Sequence, residues 1–158
     1  MKKIKALIMD VDGTLTDGKI YMGQNGEVFK AFDIHDGLAI HELLPLHEVT
    51  PVIITGRSSA IVDNRARELG VKHVYQGVGN KPEKIEELCK TLNCSKNEMA
   101  YIGDDLADLD AMKMCEVRGC PRNAVAEICD ICEFVSEKNS GEGAVRDFVE
   151  WLIVNSYV

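Results

Sequence analysis

Long apolar runs are absent from this chain of 158 residues, although 46% of its residues are hydrophobic. A helix that crosses a membrane needs about 20 consecutive apolar residues, and no stretch of the sequence approaches that length. The apolar run behind Lys2 and Lys3 reaches only Met9, so it is too short for the apolar region of a signal peptide and has no small-residue cleavage site. The sequence therefore predicts a cytoplasmic protein that does not enter a membrane.

Positive charge is also scarce. The chain has 18 Lys and Arg residues against 26 Asp and Glu residues, and its formal net charge is −8. Proteins that bind nucleic acids or anionic membranes nonspecifically depend on Lys and Arg side chains that displace counterions. We therefore expect no nucleic-acid partner. An anionic substrate would need a local cation, and a metal ion is one candidate.

Cysteine is missing from the first half of the chain, and histidine is missing from the second half. The six cysteines begin at Cys89, whereas the four histidines end at His73. The spacing of Cys129 and Cys132 is that of zinc and redox sites, but a zinc site would need a second matched pair or a nearby histidine. We therefore predict reduced, mostly buried thiols that pack as small apolar side chains.

Repeats, low-complexity tracts and linkers are absent as well, and the length suits one domain, 1–158. Short apolar segments alternate with amphipathic ones. The predicted strands are 4–9, 52–54, 71–75, 99–102, 116–119 and 134–135. The predicted helices are 36–45, 58–70, 82–92, 106–114, 124–129 and 143–154. Asn25-Gly26 between roughly alternating segments predicts a β-hairpin over 19–32. This pattern is typical of an α/β fold with a doubly wound, Rossmann-like parallel sheet covered by helices on both faces.

Polar side chains follow the predicted strands at the points where they end. They are Asp10 and Asp12 after the first strand, Thr55 and Gly56 after the second, Lys81 in the loop after the third, and Asp104 and Asp105 after the fourth. Parallel sheets bind ligands at the carboxyl ends of their strands, at the point where the strand order reverses. We therefore expect these residues to meet at one edge of the sheet.

Two of these residues, Asp10 and Asp12, predict a metal site. They are two apart at a strand end, so their side chains leave the same face while the chain stays extended. Carboxylates that repel each other need a cation, and an all-oxygen site suits Mg²⁺, which binds carboxylates, waters and phosphate oxygens. Asp104 can supply a further carboxylate.

The remaining residues predict a phosphate pocket. Lys81 adds a fixed positive charge, and Thr55 with the backbone N–H of Gly56 offers neutral donors to an oxyanion. In such a pocket one aspartate can be a nucleophile that forms an aspartyl phosphate. Its neighbour can protonate the leaving alcohol and then activate water.

Each feature also has an ordinary structural interpretation. Asp12-Gly13-Thr14 can be a plain turn and Thr55-Gly56 a plain strand exit. Lys81 can be a solvated residue at a helix start, and Asp104-Asp105 a helix cap. Their joint occurrence at one predicted edge favours the functional interpretation.

Four segments resemble, in order, the signature motifs of the haloacid dehalogenase (HAD) superfamily of phosphatases. They are D-V-D-G-T at 10–14, I-T-G-R at 54–57, Lys81, and G-D-D-L-A-D at 103–108. The resemblance implies that Asp10 is the nucleophile and Asp12 the acid and base. It also implies metal ligation by the Asp10 carboxylate, the Asp12 carbonyl and Asp104, with Asp105 and Asp108 in support. Thr55 and Lys81 would hold the phosphoryl oxygens.

A cap domain, common in this superfamily, has no room here. The stretches between Asp10 and Thr55 and between Thr55 and Lys81 are used up by predicted strands, helices and the hairpin. This capless plan resembles the 3-deoxy-D-manno-octulosonate 8-phosphate (KDO 8-phosphate) phosphatases of lipopolysaccharide synthesis, with similar segments at 16–18, 32–37, 54–59, 75–78 and 140–146. The resemblance implies a Mg²⁺-dependent homotetramer in which the hairpin flap and the Gly-rich carboxyl-terminal segment of each subunit help to close active sites.

Three residues are candidates for contacts with the sugar. Arg57 favours the octulosonate, because an Arg can pair with its carboxylate, whereas the sister group that acts on 2-keto-3-deoxynononate 9-phosphate, a sialic-type sugar, tends to have Glu there. Arg57 can also be an ordinary salt-bridged residue. Arg65 is a candidate for reaching the substrate of a neighbouring subunit. His35 stands where octulosonate phosphatases often have Arg, and both a ligand and a solvated loop residue stay open.

Two non-enzymatic alternatives use similar residues. A receiver-like module also combines acidic residues, a Thr and a Lys on a doubly wound sheet, but its phosphorylated Asp follows a middle strand, where this chain has Thr55. A catalytically silent scaffold subunit is the second alternative. The presence of every motif residue argues against it.

Overall fold

Residues 3–158 are described by a computed structural model of the chain. The strands are β1 (Ala6–Met9), β2 (Tyr21–Gly23), β3 (Gly26–Phe29), β4 (Thr50–Ile54), β5 (His73–Tyr75), β6 (Met99–Ile102), β7 (Val117–Cys120) and β8 (Phe134–Val135). The helices are α1 (Ile34–Leu38), α2 (Leu44–Leu46), α3 (Ala60–Glu68), α4 (Lys81–Thr91), α5 (Leu106–Met114), α6 (Ala126–Cys129) and α7 (Ala144–Val154). The predicted α/β fold is confirmed. Across the described residues, no helix has both the length and the apolar character needed to cross a lipid bilayer.

Six strands form one parallel sheet in the order β5-β4-β1-β6-β7-β8. From β1 the chain builds outward through β4 to β5, then crosses back to β6 on the other side of β1 and builds outward to β8. The strand order therefore reverses at β1. In open α/β sheets this reversal opens a crevice at the carboxyl ends of the strands, and Asp10 directly follows β1.

Both faces of the sheet are covered, as the sequence pattern predicts. Every residue of β1 is fully buried. Leu7 and Met9 join one core with side chains of α3 and α7, while Ala6 and Ile8 join a second core with side chains of α4 and α5. Burial on both faces explains why β1 is continuously apolar rather than alternating, and it makes this central strand a rigid support for Asp10 at its carboxyl end.

The strands β2 and β3 form the predicted hairpin, which stands apart from the main sheet. Gly26 adopts φ 115°, a backbone conformation that favours glycine. Tyr21 and Phe29 stack across the hairpin with ring centroids 4.3 Å apart. Met22 and Val28 are 64% and 59% exposed, so the hairpin carries apolar side chains that this chain leaves largely uncovered. We call residues 19–32 the flap.

Several predicted helix boundaries differ from the structure by one or two residues, and side-chain caps account for two of them. The first helical segment begins at Ile34 rather than Asp36, because the Asp33 side chain caps it by accepting from the backbone N–H groups of His35 and Asp36. Lys81 is the first residue of α4 rather than a loop residue, because the Asn80 side chain accepts from Glu83 N and starts the helix there.

Pro45 lies inside the helical segment that was predicted to stop near it. A wider π-helical turn, Ala39–Leu43, precedes it, and the N–H of Leu44 donates to the carbonyl of Ala39 five residues back. Such a turn changes the hydrogen-bond register before the residue that has no N–H, so the chain stays helical to Leu46.

All six cysteines are free thiols, as predicted. Only half of them are buried, because Cys89, Cys129 and Cys132 are partly exposed. Cys120 Sγ lies 3.8 Å from Cys129 Sγ. The prediction of mostly buried thiols therefore holds for three positions: Cys94, Cys115 and Cys120.

A buried carboxylate joins the first helical segment to the last. The residue before α7 is Gly143, which has φ 99° and no side chain to cap the helix. Instead, Asp36 Oδ1 accepts a hydrogen bond of 2.8 Å from the backbone N–H of Arg146, the third residue of α7. The other oxygen, Oδ2, is buried and has no hydrogen-bond partner among residues 3–158.

Burial raises the pKa of Asp36 from 3.8 to about 6, against the opposing effect of the backbone donors of α7. The folded protein therefore holds this proton more tightly than the unfolded chain does. The stability that the Asp36 carboxyl contributes is present below pH 3.8 and is lost as the pH rises through about 6.

We expect Asp36→Asn to become more stable relative to the wild type as the pH rises from 4 to 8, because the amide resembles the protonated carboxyl. One pKa unit corresponds to about 1.4 kcal/mol, so the difference in unfolding free energy should grow by about 1–3 kcal/mol. Urea unfolding across this pH range measures it. The exposed control Asp110→Asn should run parallel to the wild type. A difference for Asp36→Asn that does not change with pH would contradict this account.

Candidate active site

An open cavity of about 270 Å³ lies at the carboxyl edge of the sheet, as expected from the strand ends. It is lined by Asp10, Asp12, Thr55, Gly56, Arg57, Val78, Gly79, Lys81, Asp104, Asp105 and Ala107. Most of the predicted site residues therefore share one cavity, and they come from four separate segments of the chain.

A wide turn over Val11–Leu15 comes after β1 and separates the two aspartates. Asp10 still belongs to the sheet, since its N–H donates to Ile102 O at 3.2 Å. Gly13 has φ 87°, and a Cβ atom on it would lie 2.1 Å from Asp104 Oδ2. Only glycine therefore lets the turn after β1 approach the carboxylate after β6.

Lys81 joins Asp10 to Asp108 inside the site. Its Nζ donates to Asp10 Oδ1 at 2.9 Å and to Asp108 Oδ1 at 2.7 Å, and Lys81 is 5% exposed. Burial alone would lower the pKa of Lys81, but the two carboxylates outweigh burial and hold the pKa above its ordinary value. Lys81 is therefore a buried, permanently charged ammonium beside Asp10.

Both carboxylate oxygens of Asp108 accept hydrogen bonds. Oδ1 accepts from Tyr101 Oη at 2.8 Å as well as from Lys81, and Oδ2 accepts from the backbone N–H groups of Asp104 and Asp105 at 3.1 and 3.4 Å. These hydrogen bonds fix the loop after β6 and orient the Lys81 ammonium beside Asp10. Asp105 is exposed and caps α5, because its side chain accepts a hydrogen bond from the backbone N–H of Leu106.

Three carboxylates converge at the crevice beside β1. Oxygens of Asp10, Asp104 and Asp108 lie within 4.8 Å of one another. Burial, and then repulsion among these carboxylates, raises the pKa of both Asp10 and Asp104. A divalent cation would relieve both effects, and the donors are all oxygen atoms, so the residues fit Mg²⁺. Thr14 Oγ1 donates to Asp104 Oδ1 at 3.0 Å and helps to orient it.

Thr55 and Gly56 line the opposite side of the cavity, directly after β4. Thr55 is 2% exposed, and its backbone is held by bonds to Tyr75 O at 3.0 Å and from Val78 N at 3.1 Å. The loop after β5 is thus tied to the end of β4. Thr55 and Gly56 therefore line the cavity as expected, and their role as donors to an oxyanion stays a prediction.

Asp12 contacts different partners from Asp10, which the sequence did not predict. Lys30 Nζ donates to Asp12 Oδ1 at 2.6 Å and lies 3.0 Å from Glu27 Oε1. Arg57 Nη1 lies 3.4 Å from Glu27 Oε2 and 4.0 Å from Asp12 Oδ1. The sequence feature that could have indicated this contact is Lys30 itself, which lies inside the otherwise apolar stretch V-F-K-A-F at 28–32. A lysine in such a stretch is typical of a buried charge that has a partner.

Two predicted sugar contacts lie outside this cavity. The side chain of His35 is 68% exposed and contacts Asp33. The guanidinium of Arg65 lies over the Phe32 ring, 5.6 Å from its centroid, and pairs with Glu68. Within one chain, neither His35 nor Arg65 lines the cavity that holds the aspartates. Their contacts with substrate therefore stay predictions.

The carboxyl-terminal glycine segment lies against the start of the flap. A Cβ atom on Gly141 would be 2.4 Å from Asp17 N, and Gly141 has φ 70°. Asp17 accepts hydrogen bonds from Lys19 N and from the Tyr21 hydroxyl. Asp17 therefore organises the turn into the flap, and it does not line the cavity in the described structure.

Comparison with known proteins agrees with this geometry. The family model described as haloacid dehalogenase-like hydrolase matches residues 73–149. The 3-deoxy-D-manno-octulosonate 8-phosphate phosphatase KdsC of Yersinia pestis is 38% identical over 151 residues, which cover 96% of this chain and 80% of the relative.

Two solved structures show the same fold. The 3-deoxy-D-manno-octulosonate 8-phosphate phosphatase of Moraxella catarrhalis, in complex with magnesium, phosphate and KDO, superposes with a TM-score of 0.91 at 38% identity over 98% of this chain and 89% of that one. The cobalt-bound Haemophilus influenzae enzyme gives 0.92 at 32% identity over 96% and 88% of the two chains. On this similarity, which extends over nearly the whole chain, the protein belongs to the haloacid dehalogenase-like hydrolases and is one of their phosphatases.

Proposed function

We propose that this phosphatase hydrolyses KDO 8-phosphate to KDO and phosphate in the synthesis of lipopolysaccharide precursors. The observation that carries the proposal is that the two aspartates after β1 have different lysine partners. Asp10 is held by Lys81, whereas Asp12 is held by Lys30. Two carboxylates in different surroundings suit two different roles in one reaction.

The proposed reaction has two steps. Asp10 attacks the phosphorus atom and forms an aspartyl phosphate, while Asp12 donates a proton to the oxygen of the departing alcohol. Asp12 then takes a proton from a water molecule, which attacks the aspartyl phosphate and regenerates Asp10. Thr55, the Gly56 N–H and Lys81 hold the phosphoryl oxygens through both steps.

We assign the metal site to the carboxylates of Asp10 and Asp104 and the backbone carbonyl of Asp12, with Asp105 and Asp108 in support. The convergence of three carboxylates at this position, two of them buried and one partly buried, supports the assignment. Mg²⁺, when bound there, neutralises charge on the phosphate and on the aspartates.

Arg57 supports the eight-carbon substrate. It lines the cavity and is 48% exposed at its side chain, so a sugar carboxylate can approach it. The relatives called KdsC are named as phosphatases of this substrate. The second candidate is 2-keto-3-deoxynononate 9-phosphate, which shares the 2-keto acid end. His35 and Arg65 are proposed to contact the sugar from outside the one-chain cavity.

The assembly is proposed to be a cytoplasmic homotetramer of one-domain subunits. The exposed apolar side chains of the flap, with Met22 and Val28 among them, support burial against another subunit. In such an assembly a neighbouring flap would cover the open cavity and exclude water from it.

Turnover of a small panel of sugar phosphates tests the proposal. We expect phosphate release to require Mg²⁺ and to stop with a chelator. We also expect kcat/KM for KDO 8-phosphate to exceed that for the nonulosonate ester by at least about tenfold, the scale of one specific contact, and glucose 6-phosphate to be a poorer substrate still. A preference for the nonulosonate would overturn the choice of sugar, and full activity without divalent metal would overturn the metal assignment.

A further inference from the structure

One lysine of the flap is buried between two carboxylates. The side chain of Lys30 is 1% exposed, those of its partners Asp12 and Glu27 are 20% and 12% exposed, and Nζ lies 2.6 and 3.0 Å from the two carboxylates. A buried ammonium is costly unless it is paired and hydrogen-bonded. The flap therefore places a charge where it is stable only in contact with the turn after β1.

Lys30 does not contact the space where a substrate would bind. The cavity is lined by Lys81 and Arg57, and Lys30 is not part of its lining. Lys30 reaches the reaction most directly through Asp12, the residue that it touches and that does line the cavity.

The contact constrains the orientation of Asp12. The hydrogen bond from Lys30 holds Oδ1, and Arg57 Nη1 stands 4.0 Å from the same oxygen. With Oδ1 held on the side of the flap, Oδ2 is the oxygen left for proton transfer. Fixing the donor within a fraction of an ångström is what general acid catalysis requires.

Glu27 completes the arrangement. Both of its carboxylate oxygens lie near Lys30 Nζ, Oε1 at 3.0 Å and Oε2 at 3.1 Å, and Oε2 also accepts from Arg57 Nη1 at 3.4 Å. Two flap residues, Glu27 and Lys30, and one residue after β4, Arg57, therefore place their charges around Asp12. The flap strand β3 carries Glu27, and Lys30 directly follows it, so the position of the flap and the orientation of Asp12 are coupled.

We infer that Lys30 is a positioning residue for the acid and base carboxylate Asp12, and that Glu27 aligns Lys30 for this purpose. The flap then contributes to proton transfer in addition to covering the site. This inference rests on the proposed function, because it takes Asp12 as the group that protonates the leaving alcohol.

The dependence on the leaving group tests the inference. An alkyl phosphate such as KDO 8-phosphate needs protonation of its leaving oxygen, whereas 4-nitrophenyl phosphate releases a stable phenolate. We expect Lys30→Met to lower kcat/KM about 100-fold for the alkyl ester, within the usual range of general acid catalysis, and less than about tenfold for the aryl ester. Because kcat/KM covers only the steps up to formation of the aspartyl phosphate, the later hydrolysis does not mask the difference.

Three further variants sharpen the test. Lys30→Arg should restore much of the ratio of alkyl to aryl turnover, and Glu27→Gln should lower that ratio to an intermediate value. Lys96→Met, which removes a solvent-exposed ion pair with Glu86, should leave both rates unchanged. The ratio is measured within one variant, so a smaller folded fraction does not alter it.

A double-mutant cycle gives a second measurement with the alkyl ester. If Lys30 acts through Asp12, Lys30→Met should have little further effect in an Asp12→Asn background. Equal losses for the two esters, or additive losses in the cycle, would overturn the role of Lys30. A wild-type protein that hydrolyses no phosphate ester would instead overturn the proposed function itself, and the two failures are therefore distinguishable.

Discussion

Asp10→Asn is expected to reduce steady phosphate release by at least about 10⁴-fold, the scale at which an enzyme loses its nucleophile. Asparagine keeps the shape of the side chain and can still accept a hydrogen bond from Lys81, so the loss would be one of chemistry. The amide lacks the negative charge needed to attack phosphorus and to form an aspartyl phosphate. Release of phosphate from KDO 8-phosphate, monitored continuously in the presence of Mg²⁺, measures the effect.

The control for Asp10→Asn is Asp110→Asn, the same change at an exposed position of α5. It should retain wild-type turnover. Thermal unfolding of both variants shows whether the site variant is folded, and intact-mass measurement during turnover should find the phosphoryl adduct in the wild type only. Sustained turnover by folded Asp10→Asn would exclude Asp10 as the nucleophile.

Lys81→Met should produce the second-largest effect, on stability as well as on activity. Lys81 is the ammonium shared by the buried carboxylates Asp10 and Asp108, and methionine would leave both without it. Removing one partner of a buried ion pair costs about 3–5 kcal/mol. We expect a loss of this size in the free energy of unfolding in the presence of a chelator, and a fall in kcat of at least about 100-fold, because a fixed charge on the phosphoryl group is lost as well.

Added Mg²⁺ should restore part of the stability of Lys81→Met, because a cation that binds only the folded state stabilises it and would replace some of the missing positive charge. Urea unfolding with chelator and with Mg²⁺ measures both effects. Lys96→Met, at an exposed ion pair, should change stability by less than about 0.5 kcal/mol. If Lys81→Met were as stable as this control in chelator, the carboxylates would not depend on Lys81 for compensation.

Much of the architecture could be predicted from the sequence because its signals are local. The strand β6 and the helix α5 have the predicted bounds, Met99–Ile102 and Leu106–Met114. Each is marked by its own apolar pattern and by the acidic residues between them. The glycine in Asn25-Gly26 marked the hairpin in the same way, since a residue with φ 115° there is best a glycine. Two of the boundaries that were wrong, at Ile34 and Lys81, were set by side-chain caps rather than by the apolar pattern.

The content of the site was predictable for a different reason. Parallel strands of one sheet end at one edge, so Asp10, Thr55 and Asp104 had to come close once the strands before them were recognised. Lys81 shares that edge because its helix begins just after the loop that leaves β5. Asp108 was predicted only as a supporting carboxylate, and its bonds to Lys81 and Tyr101 depend on a helix turning its side chain back toward the sheet.

The sequence by itself therefore determined the α/β fold, the strand ends that carry the polar residues and the membership of the phosphatase family, because each depends on a short motif or a local periodicity. Only the tertiary structure decided which partner each of these carboxylates contacts. Asp10 meets Lys81, Asp12 meets Lys30 of the flap, and Asp36 meets the start of α7. These contacts join segments far apart in the chain, and their geometry is set by how helices and flap pack on the sheet, which no local propensity encodes.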